Sequence, residues 1–211
     1  MQPAHQSQQI LTLMQQRGGY LTSQEVAEAK LPKVALTRLL RSHQIERVER
    51  GVYRLPDTGS TPLIAAERQD LLAVQLRYPA ALPCLISALH LHGLTTTRPA
   101  RLQFAVQNNR TPLQSEHLPV ETFYFSAKYY QTGQQHLDVG TRTLLTYTPE
   151  KTLLDLLRYA PKFGRELYLE GLKKYLKNHR SPYALMQLAG QLGSDKELLR
   201  DLEVLSHDQD H

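Results

Sequence analysis

Apolar side chains recur at helical spacing close to the start of the chain. Ile10, Leu13 and Met14 predict a first helix over residues 6–16. Gly18-Gly19 should end it, and Tyr20-Leu21 then reads as a short extended segment. Thr22-Ser23-Gln24-Glu25 has the spacing of a capping box, with Thr22 accepting from the third helical residue while Glu25 reaches back. This predicts a second helix over residues 23–30. Leu31-Pro32 should stop it, because proline disfavours helical backbone in the residue before it. Proline also suits the first turn of a new helix, so a third helix is expected over residues 32–42. On a wheel centred on Leu36, the residues Leu39, Leu40 and His43 lie within about 60°. Val34, Thr37, Arg38 and Arg41 face the other way, with Lys33 at the N-terminal edge. Residues 45–48 and 52–55 predict two strands joined by Glu49-Arg50-Gly51, where glycine supplies a positive-φ turn position. Three helices followed by a basic hairpin is the plan of a winged helix-turn-helix.

The turn-rich run Pro56-Asp57-Thr58-Gly59-Ser60-Thr61 separates this region from a second patterned one, and a domain boundary is expected there. Beyond it, helices are expected over residues 62–77 and 85–91, the latter closed by Gly93. Strand patterns occupy residues 102–106, 120–125, 136–139 and 142–147. Thr148-Pro149 then opens a strongly apolar helix through Leu153, Leu154, Leu156 and Leu157. Further helices are expected over residues 164–177, 182–192 and 196–205. The fold class is therefore α+β: an N-terminal winged helix-turn-helix over residues 1–56, then a mixed α+β domain over residues 57–211 that ends in helices.

Composition narrows the function. The 211 residues are 41% hydrophobic and 21% charged, ordinary globular usage that excludes wholesale disorder. No apolar run approaches the roughly 18 residues needed to cross a bilayer. The opening residues are polar and do not read as a signal peptide. The expectation is a soluble, cytoplasmic protein with no membrane partner. Net charge is +5, and +4 of it falls in residues 1–56. The stretch from Lys30 to Arg54 holds 7 basic side chains against Glu46 and Glu49. Such a compact basic segment fits either a nucleic-acid-binding module or a solvated face.

Chemistry-bearing residues are few. His90-Leu91-His92 invites a metal reading, but residues two apart on a helix do not face each other, and a capping or core role is expected. The lone Cys84 excludes an intramolecular disulfide, and its apolar run, Leu82-Pro83-Cys84-Leu85-Ile86, predicts a buried thiol. Tyr124 and Lys128 have the spacing of a dehydrogenase pair, but no glycine-rich dinucleotide fingerprint precedes them. A nuclease would need clustered carboxylates with a lysine, for which Asp138, Glu150 and Lys151 are the nearest candidates. Glu150 and Lys151, however, fit the first turn of a helix, where glutamate is favoured by the dipole. No phosphate loop or nucleophile elbow is present. No catalytic residue, metal ligand or cofactor is assigned.

Three ordered blocks carry a family resemblance. Gly19-Tyr20-Leu21-Thr22, Leu39-Leu40 and the run Arg47-Val48-Glu49-Arg50-Gly51-Val52-Tyr53-Arg54-Leu55-Pro56 make the first. Ser87-Ala88-Leu89-His90-Leu91-His92-Gly93-Leu94-Thr95 makes the second, and Pro149-Glu150-Lys151-Thr152-Leu153-Leu154-Asp155 the third. Together they resemble the AbiEi-like antitoxins of type IV (AbiE) toxin–antitoxin systems. The resemblance implies a bacterial autorepressor that binds inverted repeats upstream of its own operon. It also implies a C-terminal domain that opposes a cognate nucleotidyltransferase-like toxin, with or without direct contact. Many relatives carry glycine where His43 stands, and histidine tolerates left-handed geometry better than most residues.

In that reading the third helix enters the major groove. Arg38 and Arg41 would meet guanine edges or phosphates, Thr37 could bond to either, and Val34 would meet a thymine methyl unless it tucks against the second helix. Lys33 completes that face. Arg47, Arg50 and Arg54 of the hairpin would touch phosphate, and Tyr53 should pack rather than meet DNA. Lys173, Lys174, Lys177 and Arg180 could form a second basic surface, for the toxin or its nucleic acid, or could simply complement a helix C-terminus. Inverted repeats need two modules, so dimerisation on DNA is expected. The alternative is a stand-alone winged-helix transcription factor whose C-terminal domain senses or dimerises.

Overall fold

The computed structural model describes residues 3–56, 66–108, 110–178 and 181–207. It is a mixed α+β chain that divides into two compact units. Residues 1–81, 112–120 and 136–144 form the first; residues 82–111, 121–135 and 145–211 form the second. The first unit thus runs past residue 56. The turn-rich run at residues 57–61, and the expected helix start at Pro62, lie outside the described residues.

In the first unit α1 (Pro3–Gln16) leads through Gly18 and Gly19 to β1 (Tyr20–Thr22), α2 (Ser23–Glu28) and α3 (Lys33–Arg41). Strands β2 (Glu46–Glu49) and β3 (Val52–Arg54) follow, and the antiparallel sheet has the order β1-β3-β2. The capping box is formed as the spacing predicts. The Glu25 N–H donates to Thr22 Oγ1 at 3.1 Å, and the Thr22 N–H donates to Glu25 Oε2 at 2.7 Å. Helix α2 stops two residues earlier than expected. Lys30 takes a left-handed φ of 56°, and the Leu31 N–H returns to the Val26 carbonyl at 3.0 Å, so local turn geometry ends the helix before proline does. Pro32 sits at the N-cap of α3 rather than inside it, with extended backbone. Ile10, Met14, Leu21, Val26, Ala35, Leu36, Leu39 and Ile45 form the core, with Tyr53 packed on its edge as expected. Helix α4 (Ala66–Arg77) completes this part.

The hairpin differs from its expected form by one residue. Glu49 belongs to β2 and pairs with Val52, leaving Arg50-Gly51 as the turn, with Gly51 at φ 78°. A register shift between Arg47 and Glu49 changes the face of the strand, and Glu49 is fully buried.

The second unit contains β4 (Leu82–Pro83), α5 (Leu85–Leu91), β5 (Leu102–Gln107) and β6 (Val120–Phe125), with sheet order β4-β5-β6. After α6 (Ala127–Gln131), the paired strands β7 (Gln134–Val139) and β8 (Arg142–Tyr147) lead into α7 (Pro149–Arg158). Residues 136–144 of that pair belong to the first unit. Then come α8 (Ala160–Phe163), α9 (Glu166–Lys177), α10 (Pro182–Leu192) and α11 (Asp195–His207). Thr148 caps α7 by accepting from the Lys151 N–H at 3.2 Å, the start that Thr148-Pro149 predicts. Gly171 lets α9 approach α5 and α7, since a Cβ there would lie 2.8 Å from Leu89 Cδ1 and 3.0 Å from Leu153 Cδ2. The core gathers Phe125, Tyr147, Tyr168 and Tyr175 with the leucines of α5, α7 and α9.

Candidate nucleic-acid interface

Helix α3 is divided cleanly by burial. Ala35, Leu36 and Leu39 are buried, whereas Lys33, Val34, Thr37, Arg38 and Arg41 are all exposed. Val34 keeps 52% of its surface in solvent, so it is not tucked against α2. The wheel put His43 on the buried side, but the helix ends at Arg41 and His43 is exposed. His43 has a left-handed φ of 55°, and the Gln44 N–H reaches back to the Leu39 carbonyl at 3.0 Å. This is the glycine-type helix ending expected from the resemblance, made here by histidine.

The surroundings of the basic segment sharpen its charge. Of its two acidic residues, Glu49 is withdrawn from the surface. It is buried, bonded by Arg77 Nη1 at 2.6 Å, and accepts from the Ser115 hydroxyl. Glu46 is taken by Arg54 Nη2 at 2.9 Å, while Arg54 Nη1 also donates to Gln69 Oε1 at 2.9 Å. Arg47 lies 3.0 Å from Glu116, both well exposed. That leaves Lys33, Arg38, Arg41 and Arg50 exposed and without an ion-pair partner among the described residues.

A second feature escaped the sequence reading. Arg142, the first residue of β8, donates from Nη1 to Glu25 Oε1 at 2.7 Å and from Nη2 to Glu25 Oε2 at 3.2 Å. It also donates from Nε to the Arg17 carbonyl at 2.9 Å and from Nη2 to the Tyr20 carbonyl at 2.6 Å. Arg17 is a further partner of Glu25. Burial raises the Glu25 carboxyl, but the bonds from Arg142, the Thr22 N–H and Arg17 outweigh it and hold the group down at about 2. Because the folded value is depressed, this stabilisation is complete above the unfolded value of about 4.5 and is lost as pH falls through about 2. No local signal marks Arg142, because its carboxylate partner lies 117 residues away.

On α9, Lys173 and Lys177 are exposed, whereas the Lys174 ammonium is held by Glu170 at 2.8 Å. Arg180 lies outside the described residues. Arg165 is paired with Glu197 at 3.2 Å and Asp201 at 2.5 Å.

Four of the residues weighed for a chemical role, His92, Cys84, Glu150 and Lys151, are buried or bonded within the protein. His92 Nε2 lies 2.7 Å from the Tyr147 carbonyl. Cys84 is buried and its thiol is pushed well up by desolvation. Glu150 accepts from the Tyr175 hydroxyl at 2.8 Å. Lys151 is fully buried, 2.5 Å from Asp155 Oδ2, with Nζ 4.5 Å from the Tyr147 ring centre and 4.9 Å from that of Phe125. Burial pushes the Lys151 amine down and the Asp155 carboxyl up, each opposed by the other's charge. Among the described residues no three His, Cys, Asp or Glu side chains are grouped as metal ligands. No helix among them is long and apolar enough to cross a membrane.

The segment that carries the exposed basic helix is similar to antitoxin-type transcriptional regulators. Residues 8–56 match the family model described as transcriptional regulator, AbiEi antitoxin, so the chain is AbiEi-like from within α1 to just past β3. No curated protein matches the chain.

Proposed function

We propose that this regulator acts by binding duplex DNA through a winged helix-turn-helix formed by α1–α3 and the β2–β3 hairpin. The observation that carries the reading is the outer face of α3. Thr37 stands in solvent beside Lys33, Arg38 and Arg41, which have no salt-bridge partner among the described residues, around an exposed valine that a thymine methyl would cover. Arg38 and Arg41 read base edges or phosphates, and Thr37 and Lys33 fix the register of the helix. Arg50, at the hairpin turn, meets phosphate. Arg47 joins it by exchanging Glu116 for phosphate, at small cost, since exposed ion pairs contribute about 0–1 kcal/mol. Arg54 is held on two sides and contacts phosphate only where the backbone comes close to β3. The chain represses its own operon at inverted repeats, with two copies assembling on the DNA. Its C-terminal domain counteracts a nucleotidyltransferase-like toxin, with the exposed Lys173 and Lys177 offering basic groups for that purpose.

Arg50→Ala is expected to weaken binding to all duplexes alike and to flatten the plot of log affinity against log salt by about one unit. Fluorescence anisotropy titrations at several salt concentrations measure both. Equal slopes for the variant and the parent would remove the wing from the interface.

A second reading, a stand-alone regulator whose C-terminal domain dimerises, is favoured by the apolar exposure of Tyr183 on α10 and Leu199 and Val204 on α11. A neighbouring gene for a nucleotidyltransferase would favour the antitoxin reading instead.

A further inference from the structure

We propose that Arg142 is a positioning residue for DNA recognition, a clamp from outside the N-terminal segment that fixes how α2 presents α3. The inference rests on the DNA-binding reading. Helix α2 has only six residues, too few to be stable or to hold its direction unaided. Its start is fixed at Glu25, whose carboxylate closes the capping box with one oxygen while both oxygens accept the Arg142 fork. The same guanidinium takes the Arg17 carbonyl just after α1 and the Tyr20 carbonyl in β1. One side chain, 13% exposed, therefore joins the end of α1, the first strand and the start of α2. A planar fork can do this and a lysine cannot, since an ammonium has no matched pair of donors for a carboxylate.

The geometry gives the clamp leverage over α3. The turn from α2 to α3 spans only residues 29–32 and contains the left-handed Lys30, so a change in the direction of α2 is carried into α3. Base contacts depend on bidentate geometry, while phosphate contacts through long, flexible side chains tolerate displacement. Loss of the clamp should therefore reduce discrimination more than general affinity. Residues 136–144 share a compact unit with residues 1–81, so the recognition module is completed by chain more than a hundred residues downstream.

The experiment titrates full-length parent, Arg142→Ala and Arg142→Lys against the duplex upstream of the gene and against a scrambled duplex, at two salt concentrations. Circular dichroism melts are recorded alongside. Arg142→Ala is expected to lose about tenfold in affinity for the upstream duplex and less than about twofold for the scrambled one, with an unchanged salt slope. Arg142→Lys, which keeps the charge but not the fork, is expected to fall between the two. A parental ratio of specific to scrambled affinity in the variants would overturn the proposal. Uniform weakening with a slope about one unit flatter would also overturn it, making Arg142 a phosphate contact. If Arg142→Ala does not fold, Arg142→Lys decides: a reduced ratio supports positioning and a parental ratio refutes it. A parent that binds neither duplex would instead refute the DNA-binding reading on which the clamp rests.

Discussion

Replacing Lys151 by alanine is expected to destabilise the protein by about 3–5 kcal/mol, the cost of leaving one member of a buried ion pair uncompensated. Lys151 and Asp155 are 0% and 1% exposed, and their charged atoms are 2.5 Å apart. The nearest further cation, Arg158, is 3.7 Å from the other Asp155 oxygen and partly exposed, so it cannot replace the ammonium at short range. The Lys151 amine lies over the rings of Phe125, Tyr129 and Tyr147. Lys151→Met should fill most of the volume but still strand the carboxylate. Lys151→Met with Asp155→Leu removes both charges and should recover most of the loss, because apolar replacement of a whole buried pair is often neutral. Urea unfolding measures the differences, and a single-variant cost below about 1 kcal/mol would contradict this account of the pair.

Arg38→Ala and Arg41→Ala are expected to relax sequence preference, each by about 1–3 kcal/mol at the base pair it reads. Arg47 and Arg54 begin in protein ion pairs and must exchange them, whereas Arg38 and Arg41 have no ion-pair partner among the described residues. Anisotropy titrations against duplexes substituted one base pair at a time measure the preference. Base-pair-dependent losses identify readers; uniform weakening across all duplexes would reassign both side chains to phosphate.

Much of the N-terminal fold was legible because its signals are local. Thr22 and Glu25 are three residues apart and form the capping box their spacing predicts. Gly51 takes the positive φ that the hairpin requires. The outer face of α3 follows from helical spacing, and Lys33, Val34, Thr37, Arg38 and Arg41 share it as expected. The failures have physical causes. A strand irregularity after Arg47 turns Glu49 inward and into β2, where the turn pattern Glu49-Arg50-Gly51 predicts a linking residue. β4, α6 and α8 have two, five and four residues, too few for any periodicity to register. Lys151 lies in a helix start as its sequence context predicts, but its burial depends on aromatic side chains from β6, α6 and β8. Arg142 stands beside a turn with nothing in its neighbourhood to mark it, because all its acceptors are at residues 17–25.

The central claim is that the exposed basic face of α3 and the hairpin beside it bind a specific duplex. A gel-shift titration on the DNA upstream of the gene, at two salt concentrations and against a scrambled duplex, tests it most directly. The account predicts preferential, salt-sensitive binding with two successive shifted bands, as for two copies on paired half-sites. Equal binding to both duplexes, or none to either, would contradict it.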